Sequence, residues 1–116
     1  MATVMVVDDS KTVRSYHGSI LKTMGLDVLE AENGMEALEK SLGADVDLYL
    51  VDVNMPVMDG YKALPLMLEA NPKLKVIIVS ADIQEQARAK VIALGAQMHV
   101  QKPINPDKMK EILEIL

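Results

Sequence analysis

Short apolar runs alternate with amphipathic stretches along this chain. Thr3-Val4-Met5-Val6-Val7 is apolar and ends on Asp8-Asp9, the signature of a short buried strand. Ser10 is placed to cap a helix on which Val13, His17, Ile20, Leu21 and Met24 recur at helical spacing, with Gly25 as its stop. His17, on that apolar stripe, reads as a packing residue. A second strand is expected over Asp27–Ala31. Asn33-Gly34 turns the chain into a helix lined by Met35, Leu38 and Leu42 that stops near Gly43. The third strand is expected from Val46 to Asp52, and a loop with Pro56 and Asp59-Gly60 follows at once. Tyr61, Leu64 and Leu68 mark the next helix. Pro65 lies inside it and removes a hydrogen bond, so a late start or a kink is expected there. Leu74–Val79 reads as a fourth strand ending at Ser80, and Gln84–Leu94 as a helix ended by Gly95. Gln97–Gln101 alternates polar and apolar, with Met98 and Val100 on one face, which suits a strand at a sheet edge. Lys102-Pro103 breaks it. Pro106 opens a last helix carrying Met109, Ile112, Leu113 and Leu116.

Five strands alternating with five helices predict an α/β fold, a doubly wound parallel sheet with helices on both faces. For this length the flavodoxin-like (βα)5 arrangement with strand order 2-1-3-4-5 is the natural one, as a single domain over residues 1–116. Composition narrows the function. A net charge of -5 argues against a nucleic-acid surface. Three Tyr with no Phe or Trp leave little to stack on a base or a flavin. There is no Cys for a disulfide or thiolate metal site. No apolar run approaches a membrane span and no signal-type leader is visible, so a cytoplasmic location and no membrane partner are expected.

In a parallel sheet every strand delivers its C-terminal residue to one edge, where ligands of open α/β sheets bind. Asp8 and Asp9, Asp52, Ser80 and Lys102 each follow an apolar strand and should converge there. Carboxylates crowded in this way repel, a cost that a cation offsets. Oxygen donors without His or Cys favour Mg²⁺, with Mn²⁺ as the other candidate. A lysine and a hydroxyl beside them complete a phosphoryl site, with Asp52 on the central strand as the nucleophile.

The set Val6-Val7-Asp8-Asp9-Ser10, Glu32-Asn33-Gly34, Asp52-Val53-Asn54-Met55-Pro56-Val57-Met58-Asp59-Gly60, Ser80-Ala81 and Lys102-Pro103 resembles the receiver domain of response regulators in two-component signalling, of the stand-alone CheY-like kind. The resemblance covers essentially the whole chain. It implies that Asp52 accepts a phosphoryl group from a histidine kinase or phosphotransfer protein. It further implies that Asp9 and Asp52 bind Mg²⁺ with the backbone carbonyl of Asn54, Asp8 acting through a metal-bound water. Ser80 would be the switch hydroxyl and Lys102 the phosphate-contacting lysine. With no output domain, the signal would leave through a protein target, at a surface near Lys90, His99 and Lys108. Such a domain catalyses only its own phosphorylation and dephosphorylation. Two positions depart from the family pattern: His99 stands at the second switch position, where Tyr or Phe is usual, and Ser80 where Thr is frequent.

Three other readings compete with this one. An aspartyl-phosphate phosphatase of the haloacid-dehalogenase type would place an acid two residues after its nucleophile, where this chain has Asn54. A flavin-binding module would need an aromatic stack. A degenerate, unphosphorylated interaction module would not need Asp8, Asp9, Asp52, Ser80 and Lys102 together.

Overall fold

A computed structural model describes residues 2–81 and 84–116. The elements in chain order are β1 (Thr3–Val7), α1 (Lys11–Thr23), β2 (Asp27–Ala31), α2 (Gly34–Leu42), β3 (Leu48–Asp52), α3 (Gly60–Ala70), β4 (Val76–Ser80), α4 (Glu85–Ala93), β5 (Met98–Gln101) and α5 (Pro106–Leu113). All strand pairs are parallel and the spatial order is β2-β1-β3-β4-β5. This is the doubly wound arrangement that the alternation predicts.

The period of two along each strand divides the apolar residues between two cores. Met5, Val7, Tyr49, Val51, Val76 and Ile78 face one way and pack with Ala37 of α2, Ala63, Leu64 and Met67 of α3, and Val91 of α4. Val4, Val6, Leu48, Leu50, Ile77, Val79 and Val100 face the other way, against Ile20 and Leu21 of α1 and Met109 and Ile112 of α5. Every residue of β3 and β4 is buried, which places Asp52 and Ser80 at the ends of the two most enclosed strands. No helix among the described residues is long and apolar enough to cross a membrane.

Helix starts follow the sequence signals. Ser10, Asn33, Asp59 and Asn105 each accept a backbone N–H from the first turn of α1, α2, α3 and α5. The expected late start of α3 does not occur. The helix begins at Gly60, where the Asp59 carboxylate accepts the Lys62 N–H at 2.9 Å, and runs through Pro65 to Ala70. Pro65 is on the exposed side, where water can satisfy the carbonyl that its ring leaves without a donor. Burial of Gly60, Ala63, Leu64 and Met67 on the opposite side holds the helix together across it.

Three strands start later than expected, β5 by a single residue, at Met98. β3 starts at Leu48 because Asp47 is tied to Thr3 twice, its N–H donating to the Thr3 carbonyl and its carboxylate accepting the Thr3 N–H. β4 starts at Val76 because Leu74 closes a turn onto the Asn71 carbonyl.

Candidate functional site

β1 ends at Val7, so Asp8 and Asp9 stand just beyond it, while Asp52 closes β3 itself. The pairing of β1 with β3 brings these ends side by side. Asp8 and Asp52 are each 2 % exposed, whereas Asp9 is open to solvent. One carboxylate oxygen from each of the three lies within 4.8 Å of the others. Lys102 reaches across from the end of β5, with Nζ 3.3 Å from Asp8 Oδ2 and 3.1 Å from Asp52 Oδ2. The other Asp8 oxygen accepts the Ser10 N–H at 2.8 Å, and Asp52 Oδ1 faces the Asn54 N–H at 3.4 Å.

Burial, and after it the charge of Asp8, pushes the Asp52 carboxyl above its ordinary value; the bond from Lys102 opposes this without cancelling it. Burial pulls the Lys102 ammonium down, but the Asp52 and Asp8 carboxylates outweigh it and leave that group raised. One cation thus balances two buried anions, with a third at the rim. Three hard oxygens converging on one point, with no imidazole or thiolate among them, fit a divalent cation that prefers oxygen.

The loop after Asp52 is held close by two glycines. A Cβ on Gly60 would stand 2.7 Å from the Asp52 carbonyl oxygen, and one on Gly34 would stand 2.8 Å from the Met58 carbonyl oxygen. Glycine at both places lets α2 and α3 approach the site's backbone. Val57, at the loop's tip, takes φ +67° and is 79 % exposed.

On the other side of Asp52, β4 delivers Ser80 and β5 delivers His99. The Ser80 hydroxyl and His99 Nε2 are 2.8 Å apart, and both residues are buried. His99 alternates with Val100 and pairs across the ladder with Ile78, so it belongs to the face of the sheet that packs α4. The Lys102 N–H donates to the Ser80 carbonyl at 2.9 Å, which ties the lysine's backbone to the same strand end. Asp8, Asp9, Asp52 and Lys102 are therefore brought together, and Ser80 with His99 forms a pair beside them. Asn54 is exposed, next to Asp52. Of the expected output surface, Lys90 lies over the Tyr61 ring at 4.0 Å, and His99 and Lys108 line a concavity of about 470 Å³ together with Arg88, Gln101 and Asn105.

Two residues escape a reading of the sequence. Arg14 is buried on α1, donating to the Asp8 carbonyl at 2.6 Å and to Glu30 Oε1 at 3.1 Å. His17 does more than pack, since its Nε2 accepts the Ile104 N–H at 2.9 Å. Arg14, His17 and Leu21 share one helix face, and a charged residue on an apolar stripe was the available signal.

The model of the response regulator receiver domain matches residues 4–114. The chain belongs to that family. This receiver is 36% identical over 115 residues to the chemotaxis protein CheY of Listeria monocytogenes, covering 98% of the chain and 97% of the relative. Among solved structures it is similar to the chemotaxis protein CheY4 of Vibrio cholerae, with TM-score 0.93, 30% identity and coverage of 99% and 98% of the two chains. The CheX-CheY-BeF3-Mg+2 complex from Borrelia burgdorferi superposes equally well, at TM-score 0.93 and 27% identity, over 98% of this chain and 88% of the other.

Proposed function

We propose that this receiver takes a phosphoryl group on Asp52 from a phosphohistidine donor, a histidine kinase or phosphotransfer protein, and uses it to alter a protein-binding surface. The observation that carries the reading is the buried Asp52 carboxylate flanked by Asp8, Asp9 and Lys102, in a fold whose relative binds Mg²⁺ and BeF3 in a complex with a protein partner. An Asp52 oxygen attacks phosphorus as the donor's P–N bond breaks, and the imidazole leaves with the electron pair. Lys102 already points at that oxygen and would follow the charge onto the phosphoryl group. Ser80 offers a hydroxyl to a phosphoryl oxygen, and doing so draws it away from His99, which makes the pair the switch. Asp8, Asp9, Asp52 and the Asn54 carbonyl are the groups that would hold Mg²⁺, which when bound neutralises charge on the transferring group. The reading places the protein in the cytoplasm, where such donors reside.

The test is intact-mass spectrometry after acetyl phosphate and Mg²⁺. Wild type gains one phosphoryl mass and Asp52→Asn gains none. An equal gain in the variant removes Asp52 from its role.

A further inference from the structure

α1 carries one imidazole into the core beneath the site. His17 is 2 % exposed, and its Nε2 accepts the N–H of Ile104, a residue with no exposure at all. A buried N–H needs an acceptor, and here the acceptor comes from a helix 87 positions earlier in the chain. Ile104 stands two residues after Lys102, and the Lys102 N–H is bonded to the Ser80 carbonyl. The backbone that presents the lysine is thus pinned on both sides, by β4 before it and by His17 after it. Asn105 follows at once as the cap of α5, which Pro106 begins, so the backbone is fixed again directly beyond Ile104.

We propose that His17 is a positioning residue: by accepting the Ile104 N–H it fixes the segment Lys102–Ile104 and with it the reach of the Lys102 ammonium to Asp8 and Asp52. The consequence for phosphorylation rests on Asp52 being the acceptor; the consequence for Lys102 does not. The bond requires Nε2 without a proton, so the working ring is neutral and carries its proton on Nδ1. The charged groups bearing on the ring are Asp8 from the end of β1 and Lys102 from the end of β5, and the Tyr16 ring lies tilted 5.6 Å away. Burial outweighs the pull of Asp8 and keeps the imidazole below its ordinary 6.5, which favours the accepting form. An aliphatic side chain would fill the space and leave the Ile104 N–H without this acceptor. Glutamine would set an amide oxygen near the place of Nε2.

The experiment compares the wild type, His17→Leu and His17→Gln in two ways. One is the rate of phosphorylation by acetyl phosphate with Mg²⁺, followed by intact mass. The other is the NMR signals of the Ile104 amide and the Lys102 Cε. His17→Leu should react roughly tenfold more slowly, less than the ~100-fold that a misplacement of about 1 Å can cost. Its Lys102 signal should move, and His17→Gln should restore both. A His17→Leu protein with wild-type rate and an unmoved Lys102 overturns the proposal, as does a His17→Gln protein as impaired as the leucine variant. If either variant fails to fold, the wild type still decides: on acidification the Ile104 amide should follow the His17 ring, and the Lys102 Cε should show a component that follows it too, beside the one that follows Asp52. A Lys102 signal that ignores the His17 titration refutes the coupling. A wild type that takes no phosphoryl group overturns the acceptor reading instead, and the Lys102 signals then judge His17 alone.

Discussion

Replacing Asp52 by Asn should make the metal-free receiver more stable, although it removes one partner of an ion pair. Asp52 meets two strong charges, that of Asp9 at the rim being exposed and screened by water. Asp8 is no farther than 4.8 Å, a repulsion of at least about 3.5 kcal/mol at an effective dielectric near 20. Lys102 at 3.1 Å returns about 5 kcal/mol on the same scale, to be discounted because its side chain is 21% exposed and its charge is partly screened. The two contributions come close to cancelling. What remains is the withdrawal of a carboxylate from water to 2 % exposure, which costs on the order of several kcal/mol even after relaxation. Asparagine avoids most of that and keeps an oxygen for Lys102, whose charge still has Asp8. The raised Asp52 carboxyl has the same sign: its ionised form is disfavoured in the fold. A net gain of about 1–2 kcal/mol is expected. For a chain of 116 residues that corresponds to a melting temperature higher by roughly 4–8 °C. Differential scanning calorimetry at neutral pH in EDTA, repeated in Mg²⁺, is the assay. Without metal the variant should melt higher; with Mg²⁺ the wild type should gain more if, as proposed, Asp52 helps to hold the ion. A variant that melts below wild type in EDTA would show that the Asp52–Lys102 pair outweighs burial and repulsion, and would refute the reasoning.

Val57→Gly should stabilise the protein by about 1 kcal/mol in urea denaturation, because a β-branched residue at φ +67° is strained while its exposed side chain buries little; a loss of stability would show that the valine packs. Gly60→Ala should cost about 2 kcal/mol and slow phosphorylation, since its Cβ meets the Asp52 carbonyl at 2.7 Å; unchanged melting and rate would mean the loop yields freely. Stability should fall as pH drops from 6.5 through the lowered folded-state value of His17, because the unfolded chain binds the proton first. One such group gives a slope of at most about 1.4 kcal/mol per pH unit, and His17→Leu should lose that component in chemical denaturation followed across pH. An unaltered slope would mean other groups carry it.

Strand number and the converging polar ends were readable because they depend on local pattern, and the order followed from right-handed crossovers and the chain's length. Val4 to Val7 and Val76 to Val79 are apolar without interruption, and the residue that ends each run is polar. Asp52, Asp8 and Lys102 could thus be brought together with no knowledge of contacts. The burial of His99 against Ser80 was not readable, because it depends on which face of an edge strand α4 covers, and α4 has only Val91 fully inside. Pro65 does not delay the start of α3, because the rule for proline concerns the isolated helix, and here the Asp59 cap and the packing of Ala63, Leu64 and Met67 decide where it begins. Arg14 and His17 were hidden for a further reason. Each is bonded to a backbone group, the Asp8 carbonyl and the Ile104 N–H, and backbone groups leave no trace in the identity of the residue that carries them.

β2 is an outer strand, with one side of its backbone not covered by the sheet. The Ala31 carbonyl turns inward to accept the Asp8 N–H, so the carbonyl of Glu30 points the other way. Lys40 of α2 donates to that outward carbonyl while also pairing with Glu36 at 2.9 Å. An incoming strand from another molecule would have to dislodge the lysine. The helix that follows β2 therefore guards the sheet against edge-to-edge aggregation. Acetylation of Lys40 would remove that guard, with its first effect on colloidal behaviour at high concentration rather than on signalling.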